Sequence, residues 1–460
     1  MRGPKVTVIG AGSYFFGRAI IWKMATSPVL AGGTLALVDK DRRVLDTMMA
    51  VARRVLGATG HDVKLVGSTD RREVMADSDF VVLTFSDRNA HYRGLDTSIA
   101  AKHGIRMCSS DTIGPGGIFR ALREVPQALA MARDAGELAG GAWLVNFVNP
   151  TAVLGMALRR YAPEIRSFAL CDGHHEPYNT LRWCTTVGIL PPEATSVPPE
   201  VLARLDLAIG GVNHCTWVVR FGYDGKDMLP ALREHVAKVA RDEAGSPGEH
   251  SKQRFNETYA LELFDLYGAY PTAIGHTKEY VPFYQGHGVL PVQPEPVALF
   301  DAERRVREMT EAWKTTESYA TGSLGTEHFL SSVKSDHASD IIEAMWGNLG
   351  KDYYVNSPNR GAVRNLPEDA FLELRCDIDM RGPRPQPFGD FPRGLLSLQQ
   401  RILDAHELTA EAAVTGDRAV LRRAVLTDPL CVNIPDADAC LRDLLEAERE
   451  VLPAYWYRPR

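Results

Sequence analysis

The chain has 460 residues, of which 45% are hydrophobic and 24% charged, with a formal net charge of −6. This is the length of two or three ordinary domains and the composition of a globular protein. The mild acidity and the absence of a Lys/Arg block exclude a nucleic-acid surface, and apolar runs such as DFVVLTF are core strands too short to span a membrane.

The N-terminus enters a strand directly, without the apolar stretch of a secretory leader. Seven cysteines, at 108, 171, 184, 215, 376, 431 and 440, form no CxxC pair, so a disulfide framework is not expected. A reducing, cytoplasmic setting fits, with any special cysteine acting as a ligand or nucleophile.

The first elements in KVTVIGAGSYFFGRAIIWKMA are a strand over 5–9, a turn at Gly10-Ala11-Gly12-Ser13 and a helix. A second strand, TLALVDKD, ends at Asp39. Strand, glycine turn, helix, strand and acid make the layout of a dinucleotide site. Gly10 permits the tight turn. Gly12 lets backbone N–H groups approach a pyrophosphate at the helix N-terminus. Asp39 is placed to accept from ribose hydroxyls, which favours NAD over NADP. The glycine pattern departs from GxGxxG, because Phe15 holds the third position and Gly17 comes two residues late.

Further strands are expected over 79–85, 142–150 and 167–172, with helices over 121–135 and 151–161. A parallel sheet directs the C-terminal ends of its strands to one edge, so Asp39, Asn146, Asn149, Cys171 and Asp172 should gather at one crevice. The loop SSDTIGPGG (109–117) runs into a helix. It either lets backbone approach a ligand or is a connector with a helix start. The stretch CDGHHEPYN (171–179) packs a thiol, a carboxylate and two imidazoles at a strand end.

The second half alternates less regularly. LAIGGVNHCTWVVRF (207–221) reads as one strand carrying Asn213 and His214. YALELFDLYGAYPTAIGH reads as a helix entering a turn, 301–317 as a charged surface helix, and 395–452 as mostly helical. The expected organisation is α/β: a Rossmann-like, doubly wound NAD-binding domain over 1–172, and an α+β domain over 173–460 for substrate, metal and oligomerisation.

Five motifs now stand in order: GAGS, DTIGPGGIFRALREVP, NFVNPTAV, CD after a strand, and GVNHCTW. Together they resemble glycoside hydrolase family 4, the NAD- and manganese-dependent glycosidases, which lie outside the two-carboxylate scheme. The resemblance implies a lactate/malate dehydrogenase-like architecture and a homodimer or homotetramer. It implies metal ligands at Cys171 and His214, with substrate hydroxyls supplying further oxygens to a hard ion such as Mn²⁺. In members with Cys-Asp at the strand end the Asp assists leaving-group departure, which is Asp172 here. The family's base is often a tyrosine before a turn. Tyr267 is the nearest match, with Tyr259 and Tyr270 close by. Where some members carry Gly-Asp, this chain has Gly275-His276, so His276 is a base or a substrate contact. Asn149 and Arg93 are expected at the substrate. Arg88, Arg120 and Arg360 join Arg93 as candidates for a phosphate or carboxylate on the sugar, either an α-galactoside or a uronide. His174 and His175 are substrate-contacting or structural.

The chemistry so implied takes a hydride from sugar C3 onto NAD⁺, which acidifies the C2 proton. A base removes that proton, the glycosidic oxygen leaves, water adds and the hydride returns. The alternative is an NAD-dependent 2-hydroxyacid-type dehydrogenase, which needs a His–Asp pair and a carboxylate-binding Arg.

Overall fold

The computed structural model describes residues 2–14, 16–286 and 295–458. Phe15, which breaks the glycine pattern, lies outside them.

Six strands form the first half: β1 (Lys5–Ile9), β2 (Gly33–Val38), β3 (Val63–Ser68), β4 (Phe80–Leu83), β5 (Trp143–Asn146) and β6 (Arg166–Ala169). They lie parallel in the order β3-β2-β1-β4-β5-β6. The order reverses between β1 and β4, and ligands bind outside the strand ends at such a switch point. Every residue of β4 and β5 is buried, because helices cover both faces of the sheet. Alternate residues feed two cores: Phe80, Val82 and Val145 join one, and Val81, Leu83 and Leu144 join the other. Helix Arg42–Thr59 begins where the Asp41 carboxylate accepts from the N–H groups of Arg43 and Val44, and it ends at Gly60 with φ of 66°.

The second half extends the same sheet. Its strands are β7 (Leu205–Val212), β8 (Cys215–Tyr223), β9 (Lys226–Asp227), β10 (Tyr270–Pro271), β11 (Asp352–Pro358), β12 (Phe371–Asp379) and β13 (Gly382–Pro385). The path continues antiparallel from β6 through β11, β12, β7 and β8 to β10. The single strand expected over 207–221 is instead the β7–β8 hairpin. Asn213-His214 make its two-residue turn, and His214, its second residue, takes φ of 64°, in the left-handed region. The apolar residues on either side disguised the turn as continuous strand.

Helices Arg393–Thr415, Arg418–Thr427 and Ile434–Ala447 form the C-terminal layer. Among the described residues, no helix is long and apolar enough to cross a membrane.

Candidate functional site

A cleft of about 1260 Å³ opens at the C-terminal edge of the parallel strands. Gly10, Gly12, Ser13 and Asp39 line one part, and Arg93, Asn149 and Asp172 line another. Gly10 has φ of 91°, and a Cβ there would lie 2.6 Å from Phe85 N. A Cβ on Gly12 would lie 2.2 Å from Val44 Cγ1. The loop is thus drawn tightly over the sheet. Asp39 Oδ2 accepts from Gly12 N–H at 2.8 Å and Oδ1 from Asp41 N–H at 3.1 Å, so the acid shapes the loop while facing the cleft. A Cβ on Gly17 would meet Ala11 O at 2.3 Å, so Gly17 provides the close helix–strand packing that the third glycine of the fingerprint usually provides. This narrow cradle, with a helix N-terminus above it, fits a dinucleotide.

Residues 170–172 leave β6 and carry Cys171 and Asp172 to the sheet edge. The Cys171 thiol accepts from the Asn213 amide and from Gly173 N–H, while burial and the nearby Glu373 carboxylate push its pKa well up. Asp172 is exposed and lines the cleft. Desolvation, and then the charge of Asp336, raise its pKa to about 7.

The hairpin turn delivers His214. Its Nδ1 shares a hydrogen with Thr112 Oγ1 at 2.9 Å, which leaves Nε2 as the free donor. The ring stacks on His276 with centroids 3.9 Å apart. Thr277 Oγ1 donates to His214 O at 2.9 Å, and Tyr280 OH donates to Asn213 O at 3.1 Å, which pins the turn. Asp111, His214 and His276 each offer a donor atom, and these atoms lie within 4.8 Å of one another. Burial holds both imidazoles neutral, that of His276 with a pKa near 4. Arg93, at 3.4 Å, holds Asp111 ionised against the cost of its burial. Two neutral imidazoles, a carboxylate and a nearby thiol make a donor set that suits a first-row divalent ion. The Nδ1 atom of His276 has no hydrogen-bond partner.

Two expectations need correction. Tyr267 is not on the cleft wall. Its helix, Asn256–Tyr267, ends at Gly268 in the left-handed region, and the phenol packs edge-on against Trp217 at 5.3 Å. The Tyr270 hydroxyl is turned onto Glu257 Oε2 at 3.1 Å, and the Tyr259 hydroxyl onto the carbonyl of Glu295. Arg93 lines the cleft, but its fork is occupied by Ser109 O at 2.7 Å (from Nε) and Ser109 Oγ at 2.9 Å. The two neighbouring histidines are engaged by protein groups: His174 is held between Glu373 and Thr272, both at 2.8 Å, and His175 bonds Asp340 at 2.7 Å. Asn149 Oδ1 accepts from Thr151 Oγ1 at 2.7 Å, leaving its amide N–H groups for the cleft.

Sequence reasoning missed Asp111, Lys252 and Glu373. Lys252 Nζ lies 2.6 Å from His276 Nε2. Glu373, from β12, joins His174 to Asn213 Nδ2 (2.9 Å) and so braces the hairpin turn. An acid inside the Gly/Pro-rich loop was a usable signal for Asp111. Nothing in the local sequence marks Glu373.

The chain is similar to known proteins over most of its length. The pattern described as "Family 4 glycosyl hydrolase" matches residues 5–184, and that of its C-terminal domain matches residues 209–431. An alpha-galactosidase of Bacillus subtilis is 27% identical, with 98% of this chain and 99% of that protein covered. An alpha-galacturonidase of the same organism is 28% identical, with 96% and 97% covered. The crystal structure of a 6-phospho-alpha-glucosidase from gut microorganisms, in complex with NAD and Mn²⁺, superposes with a TM-score of 0.78. It is 20% identical and covers 98% of this chain and 99% of that one. These matches favour the glycosidase over the dehydrogenase alternative.

Proposed function

This chain belongs to the family 4 glycosyl hydrolases, and from that premise we propose an NAD- and divalent-metal-dependent glycosidase acting on an α-galactoside or a uronide. One observation carries the reading: a single cleft joins the Gly10–Ser13 loop and Asp39 to Asp111, Asn149 and Asp172. Residues 1–172 hold the dinucleotide through that loop, and residues 173–460 bring His214 and His276 to Asp111 on the cleft wall.

His214 and Cys171 would hold the metal, with Asp111 and His276 beside them. Bound there, a dinucleotide supplies reversible hydride exchange and a divalent ion supplies polarisation of a sugar oxygen. Asp172 keeps a proton at the cleft near neutral pH and delivers it to the departing glycosidic oxygen. Asn149 offers its amide to sugar hydroxyls. With the phenols of Tyr259, Tyr267 and Tyr270 turned away, His276, grouped with Asp111 and His214, is the ring we assign to the proton at sugar C2. The seven free cysteines suit a reducing cytoplasm, where we infer that the enzyme works as a homodimer or homotetramer.

Aryl α- and β-glycosides and uronides test the reading. Hydrolysis should require NAD⁺ and Mn²⁺ and should leave no net NADH. Turnover that survives chelation and removal of NAD⁺ would overturn it.

A further inference from the structure

Two buried arginines lie near the start of the helix Gly114–Leu138, Arg120 at 6% exposure and Arg123 at 8%, and a third, Arg93 at 7%, packs beside them from the helix Asn89–Lys102. Two of them are matched. Arg123 pairs with Asp96 at 3.0 Å and with Glu448. Arg93 pairs with Asp111 at 3.4 Å and with the Ser109 oxygens. Arg120 differs. Its Nε is buried without any hydrogen-bond partner, and its side chain lines the cleft. The acids that act on it from a distance are engaged elsewhere: Asp111 with Arg93, and Glu124 with Ser86 Oγ at 2.9 Å. Other cations on the cleft wall have partners: Lys40 pairs with Asp87 at 2.8 Å, Arg71 with Asp134, Arg304 with Glu308 at 3.0 Å and Arg305 with Glu308 at 3.6 Å, though Arg305 Nε is also unbonded, and Lys252 Nζ lies 2.6 Å from His276 Nε2.

A buried guanidinium without a partner is costly, and the shape of its fork suits an oxyanion with two oxygens in one plane. The position is fixed. A Cβ on Gly116 would lie 1.9 Å from Ser110 Oγ, and one on Gly117 would lie 2.2 Å from Thr112 C. The start of the helix is therefore locked onto the 110–112 loop that carries Asp111. Arg120 thus stands on the cleft wall beside Asp111, a member of the Asp111–His214–His276 group.

We propose that Arg120 receives a carboxylate borne by the sugar, so that the preferred substrate is a uronide rather than a neutral glycoside. The proposal rests on this cleft being the glycoside site. The other source of an oxyanion is a phosphate, on the dinucleotide or on the sugar.

The test compares kcat/KM for matched aryl α-galacturonides, α-galactosides and 6-phosphogalactosides in the NAD- and Mn²⁺-loaded enzyme. The wild type should favour the uronide. Arg120→Gln should lower the uronide-to-galactoside ratio on the order of 100-fold, the loss expected for a charge-assisted contact. Arg120→Lys should lower the ratio less, because it keeps the charge and loses the fork, and it serves if the Gln variant does not fold. NAD⁺ affinity, measured by calorimetry, should fall in neither variant. A ratio unchanged by substitution, a preference for the phosphorylated sugar, or a parallel loss of NAD⁺ affinity would overturn the proposal while leaving the glycosidase reading intact. Hydrolysis independent of NAD⁺ and metal would instead defeat that reading.

Discussion

The two halves of the sheet build their parts of the site differently. The parallel half, β1 to β6, works through backbone: strand ends, a glycine loop and a helix N-terminus set where a ligand lies. The antiparallel half, β7 to β12, works through side chains that reach the cleft only when distant elements meet. His214 sits on a hairpin turn braced by Glu373 from β12 and Tyr280 from a later loop. Backbone positioning tolerates variation in most side chains but no bulk at its glycines. Side-chain positioning fails when one member of the network is lost.

Experiments can break or sharpen that contrast. The largest effect should come from the metal donors. His214→Ala and Cys171→Ala should each lower glycoside turnover on the order of 1,000-fold, because a metal's stabilisation of developing charge amounts to several kcal/mol. NAD⁺ affinity should stay near wild type. Equal loss of NAD⁺ binding would show that the halves are not separable.

Next comes the brace. Glu373 is buried and its carboxylate holds two partners. Glu373→Ala should cost about 3 kcal/mol in urea unfolding and weaken Mn²⁺ binding by about 10-fold or more. Undiminished Mn²⁺ affinity would remove the brace from the site.

In the parallel half, Gly10→Ala combines a φ of 91° with a Cβ 2.6 Å from Phe85 N. It should lower stability by about 2 kcal/mol and weaken NAD⁺ far more than Mn²⁺.

A smaller effect tests the joint between the C-terminal helices and the 114–138 helix. Asp428 accepts from Gly114 N–H at 2.8 Å and Leu430 N–H at 2.9 Å, yet burial raises its pKa to about 6. Because the native pKa is the higher one, the native state keeps its proton where the unfolded chain has lost it. Asp428 therefore favours folding below about pH 4, and that contribution disappears as pH rises through 6. Asp428→Asn should flatten this slope and change stability at pH 7 by about 2 kcal/mol relative to its effect at pH 4. An unchanged slope would show that the carboxylate ionises freely. The smallest effect is expected from Tyr267→Phe, whose ring packs on Trp217 away from the cleft. Turnover should change less than about three-fold, as for a substitution outside the reacting centre. A large loss would restore Tyr267 as the base.

The parallel half was largely legible in the sequence. Its central strands β2 and β4 carry the apolar runs LALV and FVVL because both faces are buried, and the glycine loop and Asp39 follow directly from local geometry. Helix 151–161 appears with the expected limits. The β7–β8 hairpin was not legible, because its two-residue turn lacks glycine and lies between apolar runs. Nor was the orientation of Tyr267, which depends on Trp217 from another strand.

By itself, the sequence determined the doubly wound half, the dinucleotide loop and the order of motifs that identifies the family. Those features depend on residues close together in the chain. Only the tertiary structure decided that His214 groups with Asp111 and His276, that Glu373 braces the turn, that His174 and His175 are spent on buried carboxylates, and that Arg120 alone among three neighbouring buried arginines has no partner. The physical reason is that a side chain's role depends on which groups compensate its charge and hydrogen bonds, and those groups lie tens to hundreds of residues away.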